Sequence, residues 1–178
     1  MHVLLLSDTH VPKRARELPG GLWADIEAAD VVVHAGDWVV PALLDEIQER
    51  SRRLIGVAGN NDGTELHERL GEVATMTLGG LRFAVVHETG AKQGREARMD
   101  RAFPDADVVV FGHSHIPWDT RTPQGRRLLN PGSPTDRRRQ PVGTYLTLTV
   151  ADGRIEDLVW HEIPPRPAAG DPTGTGPG

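Results

Sequence analysis

The run His2-Val3-Leu4-Leu5-Leu6-Ser7-Asp8-Thr9-His10 decides how the rest of the chain is read. It is apolar through Leu6 with no polar alternation, as in a short strand covered on both faces. It then stops on a carboxylate and an imidazole placed two residues apart. In an extended segment, residues i and i+2 point the same way, so Asp8 and His10 are expected to reach one point together.

The same arrangement recurs along the chain. Val31 to His34 is a β-branched run that passes into Ala35-Gly36-Asp37. Leu54 to Ala58 reads as a strand and runs into Gly59-Asn60-Asn61-Asp62. Leu81 to His87 ends on its histidine, and Val108 to Phe111 leads into Gly112-His113-Ser114-His115. Thus Asp8, His10, Asp37, Asn60, His87, His113 and His115 all follow the carboxyl end of a predicted buried strand, where open α/β sheets bind ligands. Gly36, Gly59 and Gly112 each precede one of them, and glycine there permits sharp turns and close backbone approach. Carboxylate, imidazole and amide oxygen without sulfur suit manganese, iron or zinc rather than calcium. Seven such ligands are too many for one ion and suit two. Two ions about 3.5–4 Å apart clamp the attacking and leaving oxygens of a displacement at phosphorus.

Between these runs, Leu22 to Ala29 and Pro41 to Arg53 read as helices, the second with Pro in its first turn. Gly79-Gly80 joins Val73–Leu78 to the strand from Leu81 as a hairpin. Gly94 to Phe103 reads as a helix, and Thr144 to Val150 alternates, with Arg154 to Trp160 as its hairpin partner. Strand–helix alternation followed mostly by strands fits an α/β fold of two sheets packed face to face with helices outside. Residues 1–163 form the expected domain. Residues 164–178, rich in Pro, Gly and Thr, form an expected disordered tail.

The chain has 178 residues, 38% hydrophobic and 25% charged, which fits one globular domain with a real core. A net charge of −5 argues against broad nucleic-acid or membrane binding. The absence of cysteine excludes disulfides, a thiolate zinc site and a cysteine nucleophile. The N-terminus lacks the basic start and long apolar stretch of a signal peptide. No run approaches the ~20 apolar residues of a membrane span. A cytoplasmic protein is expected.

Taken together and in this order, Asp8-x-His10, Gly36-Asp37, Gly59-Asn60-x-Asp62, His87 and Gly112-His113-Ser114-His115 resemble the motifs of the calcineurin-like metallophosphoesterase superfamily. The short length and Asn130-Pro131-Gly132-Ser133 look like its small bacterial and archaeal phosphodiesterase branch. The resemblance implies a four-layer αββα sandwich with two mixed β-sheets. It implies two divalent ions, manganese favoured, with iron, zinc or nickel as alternatives. Asp8, His10, Asp37 and His115 would hold one ion, and Asp37, Asn60, His87 and His113 the other, with Asp37 bridging. A bridging hydroxide would attack phosphorus in line. The substrate implied is a small phosphorylated molecule, with nucleic acid not expected beyond that role. Self-association is also implied, since small members of the branch are often dimers or larger.

Two positions depart from the family. Many members carry His where this chain has Asn61. An amide cannot act as a general acid, so assistance of ~10²–10⁴-fold is expected to be missing, and diesters or esters with good leaving groups should be preferred. Asn61 can still donate a hydrogen bond to a phosphoryl oxygen, which makes it, with Asp37, a candidate catalytic residue. The family usually has Gly where Glu88 follows His87. The rival reading is a non-catalytic metal-binding scaffold of the same fold, as in the retromer subunit. Among the remaining residues, His34 reads as a packed histidine and Asp62 as a cap for the helix that follows. His67 and His161 read as surface residues. Arg137-Arg138-Arg139 reads as a solvated run or a guide for an anionic substrate. Trp38 and Trp118 read as core or pocket wall.

Overall fold

The computed structural model describes residues 1–165; beyond Pro165 the expected disordered tail lies outside the described residues. In chain order the elements are β1 (His2–Leu6), α1 (Gly20–Ala28), β2 (Val31–His34), α2 (Pro41–Arg50), β3 (Leu54–Gly56), α3 (Thr64–Leu70) and β4 (Val73–Leu78). They continue as β5 (Leu81–Val86), α4 (Arg95–Ala102), β6 (Val108–Phe111), β7 (Trp118–Arg121), β8 (Arg127–Asn130), β9 (Gly143–Ala151) and β10 (Arg154–Ile163).

Two five-stranded mixed sheets result, ordered β10-β9-β1-β2-β3 and β4-β5-β6-β8-β7. In the first, β1, β2 and β3 run parallel, β9 runs antiparallel to β1, and β10 runs antiparallel to β9. In the second, β5, β6 and β8 run parallel with β4 and β7 antiparallel at the edges. The alternating side-chain direction of a strand explains why β1 had to be apolar from Val3 to Leu6. Val3 and Leu5 face the second sheet, packing with Phe83, Val85, Val108 and Val110. Leu4 and Leu6 face outward, where Leu22 and Ile26 of α1 and Leu43, Leu44 and Ile47 of α2 cover them. On the far side, Met99 of α4 packs on Ala84, Val109 and Phe111. The order is therefore helix, sheet, sheet, helix, as the motif order implied.

Helix α2 stops at Arg50 rather than Arg53, because Ser51 is already extended and the Arg53 carbonyl accepts the Val32 amide at 2.8 Å. The segment is needed as the approach to β3. The alternating strand β9 is buried on both faces, since Leu146, Leu148 and Val150 pack into the core between the sheets and Tyr145 packs with the α1 and α2 residues on the outer face. Consequently His161 is not a plain surface residue. It stacks on Tyr145 with ring centroids 4.5 Å apart, and its Nε2 lies 2.8 Å from Thr147 Oγ1. Among the described residues, no helix is long and apolar enough to cross a membrane.

Candidate metal centre

All seven candidate ligands converge at one end of the sandwich. Asp8 and His10 follow β1, Asp37 follows β2 and Asn60 follows β3; His87 follows β5, and His113 and His115 follow β6. Asp8, His10, Asp37, His87 and His115 are buried, while Asn60 and His113 are exposed at the mouth.

Around Asp8, His115 Nε2 lies 3.3 Å and His10 Nε2 3.9 Å from Oδ1, and the two imidazole nitrogens are 3.2 Å apart. Around Asn60, Oδ1 lies 3.0 Å from His87 Nε2 and 2.9 Å from His113 Nδ1. Asp37 sits between, with Oδ2 3.4 Å from His10 Nε2 and Oδ1 3.4 Å from His87 Nε2. Ligand atoms of Asp8, His10 and His115 all lie within 4.8 Å of one another, as do those of Asp8, Asp37 and His87. Asp8 is thus within reach of both groups.

Backbone carbonyls orient two of the rings. Ala35 O is 2.7 Å from His87 Nδ1, and Asp136 O is 2.5 Å from His115 Nδ1. Each Nδ1–H donates there, so each Nε2 presents a lone pair inward, the tautomer a metal-binding histidine needs. Lone pairs of His87 and Asn60 then face each other, and an Asp8 carboxylate oxygen, Oδ2, is buried with no hydrogen-bond partner. Converging acceptors and an unpaired buried carboxylate oxygen are costly alone and are satisfied by a cation. The donor set therefore fits divalent metal.

Electrostatics within the group are one-sided. Burial alone would raise the Asp37 carboxyl, but hydrogen bonds and charge attraction from His87, with two donors from Asn61, hold it far below the usual carboxylate range. Burial lowers His10 despite Asp37 and Asp8. With no ion bound, burial of His87 is outweighed by Asp37, Asp8 and the Ala35 carbonyl, which raise it, so its Nε2 then holds a proton that a cation would displace to reach the lone pair.

The extended-segment explanation for Asp8/His10 and His113/His115 is wrong. All four have left-handed backbone, with φ of 55°, 45°, 68° and 57°, and Asp37 has 63°. Sharp left-handed turns, not strand alternation, aim both side chains inward. Such a conformation costs roughly 1–3 kcal/mol per residue and persists only where surroundings enforce it. Here the Asp8 amide donates to Gly36 O at 2.9 Å, the His10 amide to Asp37 O at 3.0 Å and the His113 amide to Asp8 Oδ1 at 3.1 Å. Glycines make room: a Cβ on Gly59 would collide with the amide and carboxylate of Asp37, and one on Gly36 would lie 2.7 Å from His87 Nδ1.

Asp62 does not cap α3, whose N-cap is Gly63 with no side-chain bond. Its carboxylate instead accepts backbone amides of the Asp37 and Asn60 turns, and burial raises its proton affinity. Asn61 donates its amide to Asp37 Oδ1 at 2.8 Å and Nδ2 to Oδ2 at 2.7 Å, so it leans on the carboxylate rather than standing clear of it. His34 is wholly buried, stacked on Trp38 at 3.6 Å, with Nε2 3.0 Å from Thr9 Oγ1. Trp38 is core, donating to Val57 O at 2.8 Å. Glu88 Oε1 lies 3.8 Å from His113 Nδ1 at the exposed rim. Asn130 and Ser133 form a buttress: Asn130 Nδ2 donates to Gly112 O at 2.8 Å and Ser133 Oγ to Asp8 O at 2.7 Å. Nothing in the sequence singled out Asp136, which acts through its main chain.

Residues 1–153 match the calcineurin-like phosphoesterase superfamily domain. The chain belongs to this superfamily. A probable metallophosphoesterase of Mycoplasma pneumoniae is 34% identical over 173 residues, covering 89% of this chain and 96% of that protein. A phosphodiesterase of Methanocaldococcus jannaschii is 25% identical over 130 residues, 65% of this chain and 74% of that protein. A solved Thermotoga maritima protein superposes with a TM-score of 0.73 at 29% identity, over 91% of this chain and 99% of that one. Vps29 of Entamoeba histolytica, solved with Zn²⁺, gives 0.74 at 21% identity over 92% and 98%. The superfamily resemblance read from the five ordered motifs is confirmed, and with it a metal-dependent phosphoesterase family.

Proposed function

We propose that the chain is a metal-dependent phosphodiesterase acting on a small phosphorylated substrate in the cytoplasm. The observation that carries it is Asp37, whose two carboxylate oxygens face His10 and His87 at 3.4 Å each, so one side chain spans two ligand groups. Asp8, His10, Asp37 and His115 would hold one divalent ion; Asp37, Asn60, His87 and His113 would hold the other, with manganese favoured. When bound, such ions neutralise charge on the phosphoryl oxygens and acidify water enough to ionise near neutral pH.

The chain's own residues set the rest. Asn61 holds Asp37 in place and keeps a second amide hydrogen for a phosphoryl oxygen. The position after Asn60 is Asn61 rather than a histidine that could protonate a leaving group, which favours diesters. The Glu88 carboxylate at the rim disfavours the extra charge of a monoester dianion in the same way. The relative named a phosphodiesterase supports this choice.

A second reading, an interaction scaffold that binds metal without turnover, draws on the fold shared with Vps29, whose Chaetomium thermophilum form was solved with a bound cyclic peptide. The test is hydrolysis of bis-p-nitrophenyl phosphate and p-nitrophenyl phosphate by metal-stripped protein, with manganese, nickel, zinc and magnesium restored singly and His113→Ala as control. Metal-restored diester cleavage, lost in the control, supports the enzyme. Bound metal without turnover moves the conclusion to the scaffold.

A further inference from the structure

The metal centre leaves one concentration of charge unused. Two loops, 12–19 and 134–140, carry Lys13, Arg14, Arg16, Arg137, Arg138 and Arg139, although the chain as a whole is acidic at −5. Together the loops wall a cleft of about 840 Å³. Arg14, Arg16 and Arg137 line it, Glu17 is the one carboxylate lining it among the described residues, and Leu18 and Ile163 are among its apolar residues.

The cleft and the metal centre share a wall. Arg14 donates its amide to His10 O at 2.9 Å and its Nε lies 3.3 Å from Asp136 Oδ2. Asp136 in turn holds His115 through its carbonyl, and the Thr135 hydroxyl bonds Thr9 O. The cleft also lies at the right end of the sheet. Strand β9 begins at Gly143 and β10 ends at Ile163, both lining the cleft, and β9 runs antiparallel to β1, so these positions flank the end of β1 that carries Asp8 and His10.

The chemistry of the lining selects an anion. Guanidinium forks match phosphate oxygens, and a concave basic surface focuses the field at its centre. Arg16 makes no hydrogen bond or ion pair among the described residues, and Arg137 uses Nη1 on Gln140 O at 2.6 Å. The volume falls within the roughly 300–1,000 Å³ of small-molecule sites. We propose that this cleft seats a second phosphate of the substrate, one that does not react. The substrate class is then a disubstituted phosphate carrying at least one further phosphoryl group, supplied either by the polyphosphate bridge of a dinucleotide, whose P–O–P links are anhydrides, or by an additional phosphate on a short phosphodiester oligonucleotide. This rests on the phosphodiesterase reading.

Equilibrium binding to the metal-stripped protein reads the cleft without turnover. The probes are a thymidine dinucleotide with and without a 5′-phosphate, and diadenosine tetraphosphate beside the adenylyl-adenosine dinucleotide. The added 5′-phosphate of the first pair, or the three further phosphates of the second, is expected to tighten binding at least about tenfold in one of the pairs, as for one charged hydrogen bond. The pair that responds names the source. Arg16→Gln/Arg137→Gln is expected to erase that advantage and Arg137→Gln alone to reduce it, with melting temperatures showing that these exposed-site variants stay folded. No advantage in either pair, or one that survives the double substitution, overturns the proposal. Failure of metal-restored hydrolysis with phosphate-dependent binding intact would instead remove the enzyme reading and leave the cleft standing.

Discussion

The Asp62 carboxylate accepts the backbone amide of Asp37 at 3.1 Å, and the same group takes the amides of Val39 and Gly59 at 2.7 Å each. One carboxylate therefore fixes the main chain under another. Asp62→Ala leaves three partly buried amides without a partner. At about 1–3 kcal/mol for each unsatisfied group and with incomplete additivity, the expected loss is about 2–4 kcal/mol in urea unfolding. Asp62→Asn, which keeps an acceptor on one side, is expected to lose less. Wild-type stability in the alanine variant would show that the turn stands without this clamp.

Asp37→Ala is expected to reduce metal-restored diester hydrolysis to background, because both ligand groups lose their shared carboxylate. Metal content per chain, measured by atomic emission, should fall with it. Full activity with metal retained would sink the proposed ligand assignment.

Asn61→His supplies the proton donor that the chain lacks. Monoester hydrolysis is expected to rise relative to diester hydrolysis by up to ~10²-fold. An unchanged ratio of the two kcat/KM values would mean that position 61 does not govern leaving-group assistance.

Restoring manganese to stripped protein should raise its melting temperature. Ligand at about 100 times its Kd contributes about 2.7 kcal/mol. For a domain of this size that is roughly 5–10 °C. His115→Ala should lose most of the increment, and a wild-type increment in that variant would place the metal elsewhere.

Arg82 binds Asp107 through both guanidinium and amide, and this holds the Asp107 carboxyl below its ordinary value. A depressed carboxylate stabilises the fold above the unfolded value of ~3.9, and that contribution is lost as pH falls through the folded value. Arg82→Gln should flatten this acid limb in thermal melts taken from about pH 5 downward. The pair is largely exposed, so the effect is small and salt-sensitive.

The strands and the inward ends of the sheets were legible because burial on two faces forces uninterrupted apolar runs, as in β1, β2 and β6. The candidate ligands were legible because each polar residue interrupts such a run at its carboxyl end. The left-handed turns were not, since the modest enrichment of Asp and His at positive φ is too weak to outweigh the extended reading when the constraint comes from Gly36 O or Asp62 across the fold. Asp62 itself was misread for the same reason: as a residue before a helix it looks like a cap, and only the distant Asp37 turn reveals what its oxygens bind. The role of Asp136 is invisible to any reading of side chains, because it is a carbonyl that holds His115.

Asp8, His10, Asp37 and Asn60 hang from one sheet, and His87, His113 and His115 from the other. Ions shared among them would act as rivets through the open end of the sandwich, resisting any sliding of one sheet over the other. Unloading them should free that end first. Amide exchange would then quicken at the carboxyl tips of β5 and β6 while the strand middles, locked by Val85 and Val110, keep their protection.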